Sequence, residues 1–508
     1  MAYARQYTGG RYNGQGSQRS APQRPRVLSP VRQITPTAEQ QAIIDAYRTG
    51  ADLVINAGAG SGKTSTLRLL ANATPGKQIL YLAYNGDTKR AAYDTFPRQV
   101  TCKTTHGLAW TPIGPAFTGR TKAARMKSTE IARLLKLHGP TKFSERTLAP
   151  AQIASIVMQT IKKFTHTADL AISDRHVPRD VKGLESRDDL DQLRAVVTPI
   201  ARRAWAGDIT SEHGKLPFDH DCYLKMFALQ RPRLGYDVIL LDEAQDTNPC
   251  VEAMIEDQRQ HGTQLILVGD QYQSLYGWRG ATNAMVNFNG QRFILSQSFR
   301  FGPKIAEQAN IWLGILGADL RLTGFDKIPS RVEALTQPSA ILCRTNAEAL
   351  SQAIRELGDG RRVCMAGGTK DLKSMAYGAI DLKEGRPADH RDLCAFSTWG
   401  EVQDYVEDDP AGADLKVFVK LIDSYDPWVI LDILNQLTDK ADHADVVICT
   451  VHKSKGLEYR TVLLASDFAE PREGEPISEE MAMVIYVAVT RAKLVLDPAG
   501  VAWVKNHL

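Results

Sequence analysis

No apolar run in this 508-residue chain is long enough to cross a bilayer, and the N-terminus has no apolar signal core. Both absences predict a cytoplasmic protein with no membrane partner. Cysteine is sparse. The seven residues (Cys102, Cys222, Cys250, Cys343, Cys364, Cys394, Cys449) form no CxxC pair, and several sit inside apolar runs such as Val446-Val-Ile-Cys449. They read as reduced core residues, which argues against a zinc site or a disulfide framework. Net charge is nearly absent too: 62 Lys and Arg against 58 Asp and Glu leave +4. Any basic surface must therefore be local. Residues 1–33 lack acids altogether and hold three Tyr and six Arg among Gly, Ser, Gln and Pro. Such a segment cannot bury enough apolar surface to order itself, so residues 1–34 are expected to be a disordered basic tail. Its Tyr3, Arg5, Tyr7, Arg11 and Tyr12 suit loose contact with phosphates and bases. A solvated tail with no dedicated partner is the other reading.

What remains is an ordinary globular composition, 43% hydrophobic and 24% charged. Its length implies three or four structural units. The most informative stretch is Leu53-Val-Ile-Asn-Ala-Gly-Ala-Gly-Ser-Gly-Lys-Thr64. A short aliphatic strand runs into a loop (Ala57, Gly58, Ala59, Gly60, Ser61, Gly62), then Lys63 and Thr64, then Ser65 and a helical pattern. Missing Cβ atoms let backbone N–H groups converge on phosphate oxygens, and the helix N-terminus adds its positive end. Lys63 is placed for the β/γ-phosphates and the Thr64 hydroxyl for Mg²⁺. The strict pattern has glycine where this chain has Ala57. The motif points to a nucleoside triphosphate without naming the reaction.

Upstream, Thr37 and Gln40 make a helix capping box. The Gln40 carboxamide also has the donors and acceptor to read an adenine edge. Downstream, Gln78–Asn85 is a strand ending in Tyr84 and Asn85, and Val100–Ala109 starts with a strand ending at Thr105 and His106. In an open parallel sheet ligands bind beyond the carboxyl ends of the strands, so these polar ends belong on one functional edge. Residues 111–214 then turn mostly helical, with ten Lys and Arg against two Glu between Gly119 and Phe164. This reads as an inserted helical subdomain whose basic residues face either a phosphate backbone or only solvent.

The strand pattern resumes at Tyr236–Asp246, delivering Asp242 and Glu243. Asp242 is expected to bind Mg²⁺ and Glu243 to polarise the attacking water. After a further strand, Gln264–Asp270, Gln273 is placed to sense the γ-phosphate. Tyr276, Trp278 and Arg279 offer flat faces and a cation for unstacked bases. The second half is another strand-and-helix unit carrying Arg300 and Arg491 in polar motifs. From Glu401 to Asp445 twelve acids face three Lys, which argues against broad phosphate contact there.

In their order, these segments resemble the motifs of superfamily 1 helicases of the UvrD/Rep type. The resembling stretches are Gln40, Ala57–Thr64, Ala83–Asn85, Thr104–His106, Asp242–Gln245, Gly269–Ala281, Leu295–Arg300, Thr450–Glu458 and Tyr486–Ala492. Several match the wording of the helicase part of F-box DNA helicases, although no F-box is apparent. The resemblance implies an α/β fold of two RecA-like domains with parallel sheets, each carrying an insertion. The boundaries expected are 35–112 with 215–293, insertion 113–214, then 294–350 with 446–508, and insertion 351–445. It implies ATP and Mg²⁺ as cofactors and a DNA-dependent ATPase that moves 3′→5′ on single strands and unwinds duplex at single/double-strand junctions. It places Phe299 where an adenine-stacking Tyr is usual, Glu458 near the ribose, and Arg300 and Arg491 near the γ-phosphate. His452 joins the strand-binding set. A protein of this kind is DNA-associated (nuclear in a eukaryote), and loading, recombination or replication proteins are the partners to expect. Two other readings stand beside it: a translocase that strips proteins from single strands with little unwinding, and a non-motor ATP-binding scaffold.

Overall fold

Short aliphatic strands alternating with helices build two parallel sheets in the computed structural model. The structure describes residues 35–507 apart from 124, 125, 127, 145, 146, 182, 183, 185, 276–283, 391, 395 and 409–412. The tail expectation and the expected base-stacking residues Tyr276, Trp278 and Arg279 fall outside the described residues. The chain divides into two units, one running to Ala57 and over Gly62–Leu295, the other holding Gly58–Ser61 and Ser296–Leu508.

The first unit contains β1 (Leu53–Ala57), β2 (Ile79–Ala83), β3 (Val100–Thr104), a small antiparallel pair β4 (Thr141–Lys142) and β5 (Thr147–Leu148), β6 (Val238–Leu241), β7 (Gln264–Gly269) and β8 (Gln291–Leu295). Its large sheet has the order β3-β2-β6-β7-β1-β8 with every pairing parallel. Strands covered on both faces need apolar residues at both parities, which explains the continuous runs Leu53-Val-Ile and Val238-Ile-Leu-Leu. The parities separate cleanly. Leu53, Ile55, Tyr81, Leu240 and Ile266 share one core with Ile43 and Leu67 of the helices α1 (Ala38–Arg48) and α2 (Lys63–Ala73). Val54, Leu80, Ile239 and Leu267 join the opposite core, with Val157 and Phe164 of helix Pro150–His166 and Leu193 of helix Arg187–Ala204. The helical stretch 113–214 thus covers one sheet face. Among its basic residues Lys162 and Lys163 are exposed, whereas Arg120 turns inward and donates to the carbonyls of Asp208, Ile209, Ser211 and Leu216. Two shorter helices, α3 (Gly86–Thr95) and α4 (Thr105–Ile113), start directly at the ends of β2 and β3.

The second unit contains β9 (Arg331–Val332), β10 (Ala340–Cys343), β11 (Val363–Met365), β12 (Val446–Thr450), β13 (Tyr459–Leu464) and β14 (Ala492–Asp497), in the order β11-β12-β10-β13-β14-β9, again all parallel. The sheet takes its edge strand β11 from inside the stretch 351–445 that the sequence suggests is wholly insertion. Three residues are too short a run to stand out by periodicity. Helices Lys370–Lys383, Trp399–Asp408, Ala413–Ser424 and Pro427–Gln436 share one core with Ile341, Val363 and Ile448 through Met375, Trp399, Phe418 and Leu431. Among the described residues no helix is long and apolar enough to cross a membrane.

Candidate nucleotide and nucleic-acid site

The carboxyl ends of β1 and β6 flank that of β7, and the charges gather there. Gly60 and Gly62 adopt left-handed backbone (φ 73° and 84°), which an L side chain enters only with strain. Gly62 is also the N-cap of α2, so no side chain covers the first N–H groups of that helix. Lys63 opens α2, and its Nζ donates to Glu243 Oε2 at 2.9 Å. Burial works against the Lys63 ammonium, but the carboxylates of Glu243, Asp270 and Asp242 more than offset it and hold its pKa above the ordinary value. Asp242 is buried, and burial, then the Glu243 charge, push its carboxyl up to about 6 against the pull of Lys63 and a Tyr81 hydrogen bond. Glu243 sits in left-handed backbone (φ 51°, ψ 45°), an uncommon state for a non-glycine residue and one that clusters at functional positions.

Two neighbours that the sequence did not single out complete this cluster. Gln245 donates to Glu243 Oε2 at 2.7 Å, and its Oε1 accepts from Asp270 N at 3.1 Å. Asp270, fully buried, accepts from Gln273 Nε2 at 2.7 Å, so Gln273 lies in the same network. Gln245 and Asp270 lie inside the resembling stretches Asp242–Gln245 and Gly269–Ala281, where neither carried an assigned role. Thr64 is exposed on the first turn of α2, with Ser65 behind it. Gln40 fulfils both halves of the capping box with Thr37, and its Nε2 also donates to Thr66 on α2 at 3.0 Å. Its amide is therefore committed to structure here.

Four of the expected strand contacts, Tyr84, Asn85, Thr105 and His106, lie beyond the carboxyl ends of β2 and β3 with mixed roles. Tyr84 and Asn85 are exposed beyond β2, and Asn85 caps α3 by accepting from Thr88 N. Thr105 and His106 begin α4 beyond β3. His106 Nε2 and His166 Nε2 meet the two oxygens of Asp221 at 2.9 and 3.0 Å. Burial opposes ionisation of Asp221, yet these two imidazoles hold its carboxyl well below the usual range.

Within the second unit, residues 58–61 are held by Ser298 Oγ donating to Ala59 O (2.9 Å) and Phe299 N donating to Gly60 O (2.8 Å). Ser61 Oγ is buried and has no hydrogen-bond partner among the described residues, an acceptor-seeking hydroxyl inside the proposed phosphate loop. Gly58 and Ala59 complete that loop, following Ala57 at the end of β1. Phe299 is exposed, its ring centroid 5.5 Å from that of Phe325 with the two rings tilted at 59°. Arg300 donates to Glu458 Oε2 and to Thr490 O, both at 3.0 Å. Arg491 is buried, donating to Val487 O, Leu457 O and the Thr490 hydroxyl. These arginines therefore hold local partners rather than stand out from the surface, as does Glu458, which also pairs with Lys493. His452 follows β12, and burial lowers its pKa.

Comparison with known proteins finds helicase-family matches in both units. Residues 220–293 match the UvrD/REP helicase N-terminal domain and residues 411–497 the UvrD-like helicase C-terminal domain. F-box DNA helicase protein 1 of Schizosaccharomyces pombe is 31% identical over 503 residues, covering 90% of this chain and 56% of that protein. Segments of the chain thus match the models of both UvrD-like helicase domains, and the chain is homologous to the F-box DNA helicases. F-box DNA helicase 1 of Gallus gallus is 28% identical over 92% of the chain and 49% of its own length. DNA helicase II of Escherichia coli is 36% identical over 121 residues, 22% of the chain and 17% of that protein. The chain thus spans about half the length of the F-box DNA helicases it matches. Two parallel-sheet units agree with the pair of RecA-like domains that UvrD-like helicases imply.

Proposed function

We propose that the chain is an ATP-hydrolysing DNA helicase that moves 3′→5′ along a single strand and opens duplex ahead of it. The observation that carries this is the Lys63–Glu243 pair at 2.9 Å with Asp242 adjacent, at the ends of parallel strands beside an uncapped glycine loop. Asp242, Glu243 and Asp270 against the single ammonium of Lys63 leave a net negative cluster, which fits a divalent cation. Thr64 and Asp242 would hold Mg²⁺, which supplies charge neutralisation on the phosphates. Backbone N–H groups of residues 58–62 orient the triphosphate and the Lys63 ammonium pulls on its terminal groups. Glu243, hydrogen-bonded to Gln245, aims the attacking water. Gln273 reports the γ-phosphate to Asp270. In the second unit, Phe299 would offer a base an apolar face, and Arg300, Arg491 and Glu458 are the residues assigned to nucleotide there. For phosphate to engage Lys63, its ammonium exchanges Glu243 for the phosphate, and for Arg300 to be freed it releases Glu458.

The strand would pass Tyr84, Asn85, Thr105, His106 and His452, with Tyr276, Trp278 and Arg279 stacking its bases. Trp278→Ala is expected to weaken single-strand affinity by about 1–3 kcal/mol. The test is strand displacement on duplexes with a 3′ or a 5′ single-stranded tail, with ATP hydrolysis followed in the same samples. Unwinding from the 3′ tail alone supports the whole reading. Stimulated hydrolysis without displacement favours a stripping translocase, and hydrolysis indifferent to DNA overturns both.

A further inference from the structure

Tyr81 lies in the middle of β2, in the aliphatic run Ile79-Leu-Tyr-Leu-Ala83, and is fully buried. Its ring packs on Phe96 with centroids 4.8 Å apart, and a phenylalanine would fill the same space. The hydroxyl is what packing does not need, and a buried phenol must spend it on a partner. That partner is Asp242: Tyr81 Oη donates to Asp242 Oδ2 at 2.5 Å. The other carboxylate oxygen, Oδ1, accepts from Glu243 N at 2.9 Å. β2 and β6 pair directly with Tyr81 opposite Leu240, two residues before Asp242, so sheet register itself delivers the hydroxyl to the carboxylate. Both oxygens are thus fixed by donors on different elements, which locks the carboxylate rotamer.

Mg²⁺ tolerates little departure from octahedral geometry, so the orientation of a ligand matters as much as its charge. Outer hydrogen bonds to ligating groups supply that orientation. We propose that Tyr81 is a positioning residue for the metal: its hydroxyl holds Asp242 in the orientation that Mg²⁺–ATP requires. This rests on the assignment of Asp242 as a metal ligand.

The experiment is a Mg²⁺ titration of fluorescent ATP-analogue binding by the full chain, with no turnover required. It compares the unaltered protein, Tyr81→Phe, Asp242→Asn and, as a packing control, Phe96→Leu. Tyr81→Phe should raise the half-saturating Mg²⁺ by about tenfold, in the range of lost outer hydrogen bonds at metal sites, and leave analogue affinity in EDTA unchanged. Asp242→Asn should raise it further, and Phe96→Leu should leave it within about twofold of the unaltered protein. If Asp242→Asn has no effect, the metal-ligand assignment falls. If Asp242→Asn shifts the midpoint and Tyr81→Phe does not, that assignment stands and the role of Tyr81 is refuted. A shift in Phe96→Leu equal to that in Tyr81→Phe also refutes it, since packing and not the hydroxyl would then be responsible.

Discussion

Each unit has a strand that feeds almost directly into a helix, and the two helix starts are filled in opposite ways. In the first unit β1 and α2 are joined by residues 58–61, which group with the second unit, and α2 has Gly62 as its N-cap and no acid in its first turn. In the second, β10 leads through Arg344 and Thr345 into helix Asn346–Gly358. There Thr345 accepts from Glu348 N. Asp467 accepts from Arg344 N (2.9 Å), Thr345 N (2.8 Å) and the Thr345 hydroxyl (3.1 Å). A helix N-terminus attracts an anion in either case. The second unit satisfies it with its own carboxylate, while the first has no such cap, which suits the phosphate proposed for it. On that proposal the same backbone physics makes a ligand site in one unit and a structural joint in the other.

The largest effect that sharpens this contrast is Lys63→Ala. It should lower ATP turnover by roughly 10²–10³-fold or more, on the scale of losing a charge-stabilising donor, with the melting temperature nearly unchanged. Steady-state hydrolysis with a thermal melt checks it, and normal turnover would break the assignment. Asp467→Asn should do the reverse. Weakening charge-assisted bonds to the helix start costs about 1–3 kcal/mol of stability, read by denaturant unfolding, while nucleotide affinity stays as it was. A loss of nucleotide affinity there would mean that the second helix start also serves the ligand.

Asp221 shows a third use of an internal anion. Its carboxyl is held below the usual range by His106 and His166, so its contribution is present above the ordinary carboxylate pKa and lost as pH falls through and below it. Asp221→Asn should therefore lower the melting temperature at pH 7, with the difference beginning to shrink only once pH falls below about 4. A pH-independent difference would contradict the account of a carboxylate kept ionised by its two imidazole partners. The smallest effect is expected at Thr37, a neutral cap. Thr37→Ala should cost about 1 kcal/mol, measured by chemical unfolding, and any larger loss would mark Gln40 as dependent on Thr37 for its bond to Thr66.

The glycine loop ahead of Lys63 and the acidic pair Asp242–Glu243 were legible because their pattern is local: a strand, a few glycines, a lysine, adjacent acids. The alternation of strands and helices was legible for the same reason. Tyr81 was not, because its partner lies 161 residues away and only the pairing of β2 with β6 brings them together. The edge strand β11 was hidden by its three-residue length. Gln40 shows a different limit, since its carboxamide serves both a cap and a neighbouring helix, and only the cap was visible in the sequence. Arg300 and Arg491 were legible as arginines in motifs, but not their local partners Glu458 and the Thr490 hydroxyl, which depend on tertiary packing.

The contrast between the two helix starts is tested most directly by counting bound nucleotide. Equilibrium titration of the full chain with a fluorescent ATP analogue and Mg²⁺ should saturate at one per chain, retain that value in Asp467→Asn, and lose binding in Lys63→Ala. Two bound per chain, or binding that survives Lys63→Ala, would contradict it.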